Sequence, residues 1–148
     1  MLTHGWSIIT VLLAVATLAY LGTSIHNRAP EPCESIPGLA CIDRAFLSAA
    51  SDTIAFVLRN NFGVALANFE VLDASRCKMS EAHIFAQQAD RSYLETATVE
   101  NERNVRIQIT CGTGIDPGKF KSTITIRFLN TDSQLTHTET ISITGVAA

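Results

Sequence analysis

The residues of this chain whose types could do chemistry are four cysteines, four histidines and a group of glutamates. Cys33, Cys41, Cys77 and Cys111 form no C-x-x-C pair, and no histidine stands at zinc spacing from them, so the pattern gives no metal site. An even number of cysteines following an apolar segment points instead to two disulfides formed in an oxidising compartment. Three pairings are open. The expected one closes a short loop with Cys33–Cys41 and staples two strands with Cys77–Cys111. His4, His26, His83 and His137 are scattered, without a nucleophile or second ligand at a telling distance, and read as surface or packing residues. Glu95, Glu100 and Glu102 run up to Arg103 and read as a solvated edge, not a calcium or acid–base site. There is no glycine-rich phosphate loop, no Gly-x-Ser-x-Gly elbow and no Asn-x-Ser/Thr acceptor. The expectation is a protein that is not an enzyme and holds no cofactor and no metal. Eleven basic against fourteen acidic residues leave no basic stripe, so nucleic acid is not an expected partner.

Without a catalytic constellation, the weight falls on the elements themselves, and the first is unusual. Residues 1–27 contain no Asp, Glu, Lys or Arg, and residues 5–25 read GWSIITVLLAVATLAYLGTSI. As a helix that stretch would span roughly 30 Å, the thickness of a bilayer's hydrocarbon core. It lacks the basic start and the short apolar run of a secretory signal. Ser7, Thr10, Ala14, Thr17, Leu21 and Ser24 recur at spacings of three and four, placing one stripe of mainly small or hydroxylic residues along such a helix. That stripe suits close packing against further copies. Trp6 and Tyr20 stand near the two ends, where interfacial aromatics anchor a span.

Pro30 and Pro32 break any helix, and residues 28–44 make a short linker containing the first cysteine pair, with a turn at Pro37-Gly38. From residue 45 to 148 the apolar period is two. Ile54, Phe56 and Leu58 alternate within Asp52–Arg59, and Asn60-Asn61-Phe62-Gly63 predicts a hairpin into Val64–Leu72. Val105, Ile107, Ile109 and Cys111 share one strand face, as do Ile124, Ile126 and Phe128 within Lys119–Leu129. A turn at Asn130–Ser133 leads to a last strand, about Leu135–Val146. It carries Thr136, Thr138, Thr140, Ser142 and Thr144 on one face and Leu135, His137, Glu139, Ile141 and Ile143 on the other. Ser80–Gln88 reads either as a helical turn or as an irregular strand. Six or seven strands joined by Gly, Pro and Asn turns predict an immunoglobulin-like antiparallel β-sandwich head, and with the N-terminal hydrophobic helix the expected class is α+β.

This layout, with a short polar start at Met1-Leu2-Thr3-His4, an uninterrupted apolar run and a small disulfide-bearing β head, resembles the archaeal type IV pilin and archaellin-like filament subunits. Cys33-x7-Cys41, Leu58-Arg59-Asn60-Asn61-Phe62-Gly63 and Cys77 with Cys111-Gly112 are similar to segments of pilin-like surface proteins. The resemblance implies a basic leader cut just before the apolar run. None is visible here, so the expectation is either a sequence that begins at the mature end or a protein not processed that way. The fifth position is Gly5 where bacterial pilins place a glutamate, a difference archaeal members share. The resemblance implies a homo-oligomer, with helices bundled in a filament core and β heads outside. It implies residence in the membrane before assembly and a final location in an extracellular filament at the cell surface, serving adhesion or motility. The competing expectation is a single-pass membrane-anchored β-sandwich ectodomain that binds a partner at the cell surface.

Overall fold

In the computed structural model, which describes residues 33–148, the period-two stretches become nine strands: β1 (Leu39–Cys41), β2 (Phe46–Ser48), β3 (Thr53–Asn60), β4 (Leu66–Ala74), β5 (Met79–Gln87), β6 (Tyr93–Glu95), β7 (Asn104–Cys111), β8 (Gly118–Asn130) and β9 (Thr136–Ala147). All pairings are antiparallel. One sheet runs β1-β3-β7-β5-β6, with β2 also on β3, and the other runs β4-β8-β9. With β1 and β2 as the first strand, these orders match the A-B-E-D and C-F-G sheets of a constant-type immunoglobulin sandwich.

Two expectations are corrected here. Every regular element among the described residues is a strand, and no helix among them is long and apolar enough to cross a membrane, so the α+β class gives way to all-β. The helix expected over residues 1–27 lies outside the described residues. So do its stripe of Ser7, Thr10, Ala14, Thr17, Leu21 and Ser24 and its end aromatics Trp6 and Tyr20. Ser80–Gln88, which admitted a helical turn, falls mostly in β5, because Ala82, Ile84 and Ala86 alternate with Glu81, His83 and Phe85 and pair along β7. The second correction concerns Asn60–Gly63. Those residues make no hairpin: β3 pairs with β1, β2 and β7, while β4 lies in the other sheet on β8. Asn60 is fully buried and its amide holds the crossing segment instead of turning a hairpin. Three of the nine strands are only three residues long, too short to show a period, which accounts for the excess over six or seven.

The inner faces of the two sheets share one core. Ile54, Phe56 and Leu58 of β3 and Val105, Ile107 and Ile109 of β7 face Leu66 and Phe69 of β4, Ile124, Ile126 and Phe128 of β8, and Ile141 and Ile143 of β9. Each such side chain contributes about 1.5–3 kcal/mol through removal of apolar area from water. Phe69 stacks on Phe128 with ring centroids 5.7 Å apart, and Phe62 closes over the same ring at 5.3 Å. Phe62 also dictates a neighbour. Gly38 has φ +86°, and a Cβ there would lie 2.5 Å from the Phe62 ring. Pro37-Gly38 thus makes the turn in which only glycine suits the third position, closed by the Leu39 N–H donating to the Ile36 carbonyl at 3.0 Å.

Candidate functional site

Both disulfides expected from spacing are present, Cys33–Cys41 and Cys77–Cys111, with Cα atoms 5.9 and 5.1 Å apart. Their placement says more than their pairing. Cys33, the first described residue, forms a bridge with Ile143 of β9, and the Glu34 N–H donates to the Ser142 carbonyl at 2.9 Å. Cys41 lies in β1 opposite Leu58 of β3. The bond between them joins the edge of one sheet to the edge of the other at the point where the chain enters the domain. Cys77 sits in the β4–β5 crossing and Cys111 at the end of β7, so the second bond pins a connection between sheets to a central strand. Gly112 supports it by donating its N–H to the Lys78 carbonyl at 2.7 Å.

The outer face of the larger sheet gathers polar groups that lie far apart in sequence. Strand alternation puts Glu81 and His83 on one face of β5, and the β5–β6 register brings in Glu95. His83 Nδ1 lies 2.7 Å from Glu95 Oε1 and its Nε2 lies 3.2 Å from Glu81 Oε1. A neutral imidazole has one N–H, so only the imidazolium satisfies both carboxylates. The Glu95 hydrogen bond raises the His83 pKa above its ordinary 6.5, partly opposed by desolvation and assisted by the charge of Glu81. The carboxylates occupy opposite nitrogens, which leaves neither nitrogen free as a base or ligand. Among the described residues no group of three His, Cys, Asp or Glu could hold a metal ion. Beside this group the Arg106 guanidinium lies 4.9 Å from the Phe85 ring centroid and 5.2 Å from that of Tyr93. Across β7 and β3 the same face continues through Val57 and Ala55 to the exposed Phe46 of β2.

The sign of the His83 effect follows from the direction of its shift. A pKa higher in the folded than in the unfolded chain adds stability that is full below 6.5 and is lost as pH rises through the folded-state value. The urea midpoint is therefore expected to fall as pH is raised from below to above that range, and His83→Gln should remove this part of the slope. An unchanged slope in His83→Gln would show that the two carboxylates do not hold the ring in solution.

The remaining candidates separate. Glu100 and Glu102 lie in the turn before β7, where the Glu102 N–H donates to the Asn60 carbonyl at 2.8 Å, and they do not join Glu95. The ring of His137 stacks on Phe128 at 5.6 Å. His4 and His26 lie outside the described residues. A surface depression of about 370 Å³ is lined by Asn68, Glu70, Arg127, Phe128, Leu129 and Thr136. It opens where β4 slips register between Ala67 and Glu70, and the Glu70–Arg127 ion pair neutralises its charged groups. Sequence reasoning missed the Glu81–His83–Glu95 group. The spacing of Glu81 and His83 was a signal for one half of it, but Glu95 joins only through the β5–β6 register. Compared with protein-family models and with curated proteins, the chain matches none.

Proposed function

We propose that this chain is a structural subunit of an extracellular helical filament, in which the uncharged N-terminal stretch joins copies and the β-sandwich forms the outer layer. One observation carries the reading. The chain enters the sandwich through Cys33, and the Cys33–Cys41 bond with the Glu34–Ser142 hydrogen bond ties that point to both sheets. In a polymer held through the N-terminal stretch, load reaches each head at this residue. A covalent link there spreads the load into β9 and, through β1, into β3, where a lone run of hydrogen bonds would peel one bond at a time. Exposed Thr138 and Thr140 on β9, with the β-branched hydroxyl face around them, give the head a flat polar side for lateral contacts.

Electron microscopy of surface material tests the reading, with uniform helical filaments containing this chain as the expected result. Replacing Ala14 and Thr17 by leucine is expected to abolish assembly while the head still forms both disulfides. Recovery of the native chain only from detergent-solubilised membranes, as separate anchored domains, would overturn the filament in favour of a tethered ectodomain.

A further inference from the structure

The two halves of edge strand β9 differ. Toward its C-terminal end it is covered: Glu34 donates to Ser142, the Ala49 N–H donates to the Ala148 carbonyl, and the Ala148 N–H donates to the Leu47 carbonyl. From Thr136 to Ile141 it pairs only with β8 among the described residues. The Ser142 carbonyl points away from β8, because it accepts from Glu34. By the alternation of an antiparallel ladder, the backbone groups of Thr140, Thr138 and Thr136 point the same way. All three residues are exposed, and the twelve β8–β9 pairs run without a bulge. A straight, open edge of this kind is a template for another strand.

The inward-facing side chains make that template selective. His137 and Glu139 lie on the inner side of the edge, half-buried, opposite Phe128 and Ile126. Neither side chain forms a hydrogen bond or ion pair among the described residues; the His137 ring packs near those of Phe128 and Phe62, with centroids 5.6 and 6.2 Å apart. An inward carboxylate at an edge opposes the addition of an apolar strand. It favours a strand that brings an N–H donor to the same spot.

We propose that residues 136–141 of β9 pair antiparallel with the same residues of a second copy, about a two-fold axis through Thr138. This register sets Thr138 opposite itself and Thr136 opposite Thr140 of the second copy, as hydrogen-bonded pairs. It sets His137 opposite Glu139 of the second copy, twice, in the narrow pairs where Cα atoms stand about 4.5 Å apart. A cross-strand pair that sets an imidazole N–H against a carboxylate, and Thr–Thr pairs, are stabilising kinds. Shifting the register by two residues faces either Glu139 or His137 with its own copy, and shifting it by one opposes outward backbone groups to inward ones. The chain's own sequence therefore selects one register. The contact is isologous and closes on two copies, so it does not itself build a filament and stands apart from the function proposed above.

The test uses the full-length chain in detergent micelles, on a background in which no described cysteine is free, so an added cysteine is the reactive thiol. Thr138→Cys is expected to give a disulfide-linked dimer under mild oxidation. Thr140→Cys should do so about ten-fold more slowly, because its two copies sit four residues out of register, about 13 Å apart and beyond disulfide reach. In the Thr138→Cys background, Glu139→Lys removes both cross-strand pairs and should slow cross-linking about ten-fold. Adding His137→Glu sets opposite charges across the axis and should recover the rate. Equal cross-linking at positions 138 and 140, or no recovery on exchanging the charges, overturns the proposal.

Discussion

Asn60→Ala is expected to destabilise the sandwich by about 3–4 kcal/mol, close to the largest effect of any single polar substitution here. The side chain is fully buried at the end of β3. Its amide nitrogen donates to the carbonyls of Val64, Val99 and Glu100 at 2.8, 3.1 and 3.2 Å, and its Oδ1 accepts from the Phe62 N–H at 3.0 Å. Its own backbone adds two more bonds, donating to the Arg103 carbonyl at 3.0 Å and accepting from Glu102 at 2.8 Å. One residue thus joins the segment that crosses from β3 to β4 with the segment that precedes β7. Alanine leaves the Val64 carbonyl and the Phe62 N–H without the partners they have here, and strips the Val99 and Glu100 carbonyls of their second donor; each orphaned group costs about 1–3 kcal/mol before relaxation and water recover part of it. Asn60→Asp should be no better at neutral pH, because it keeps the acceptor for Phe62 but aims a carboxylate at three carbonyls. Urea unfolding followed by far-ultraviolet circular dichroism measures the change, read as a lower midpoint at unchanged slope. A loss under about 1 kcal/mol would mean that Asn60 does not organise the two crossings.

The misreading of that same region shows what a sequence displays and what it leaves hidden. Alternation made Ile54, Phe56 and Leu58, Val105, Ile107 and Ile109, and Ile124, Ile126 and Phe128 legible as inward rows, because burial acts on each strand locally. The β8–β9 hairpin was legible too, since Asn130–Ser133 is flanked by strands that pair directly. Asn60–Gly63 has the same turn chemistry but joins strands of different sheets. The difference lies in Val99 and Ala97, which hydrogen-bond to Leu66 and Phe69 from far along the chain and cap the edge of β4. No local pattern announces such a partner. The Glu81–His83–Glu95 group was hidden for the same reason, whereas the cysteine pairs were visible because their spacing left few arrangements.

Removing the Cys77–Cys111 bond, by replacing both residues with alanine, is expected to cost about 3–4 kcal/mol on loop-closure entropy for a separation of 34 residues. At this domain size that corresponds to a fall in melting temperature of about 15 °C. The bond constrains more than an isolated loop. It holds the β4–β5 crossing against the end of β7, next to the register slip between Met79 and Glu81, where the ladder is weakest. Cys77 and Cys111 are both buried, and the smaller alanine side chains leave a void that adds to the loss. The Cys33–Cys41 pair, separated by eight residues, encloses a shorter loop and should cost less thermally, about 2–3 kcal/mol. Its loss should show under force instead, since it lies where the chain enters the sandwich. Thermal melts of the two double variants, set beside single-molecule pulling through the N-terminus, separate the roles. The first variant should melt lower, and the second should yield at lower force. If both bonds rank in the same order by heat and by force, the Cys33–Cys41 bond is an ordinary loop closure and carries no special share of the force entering the head.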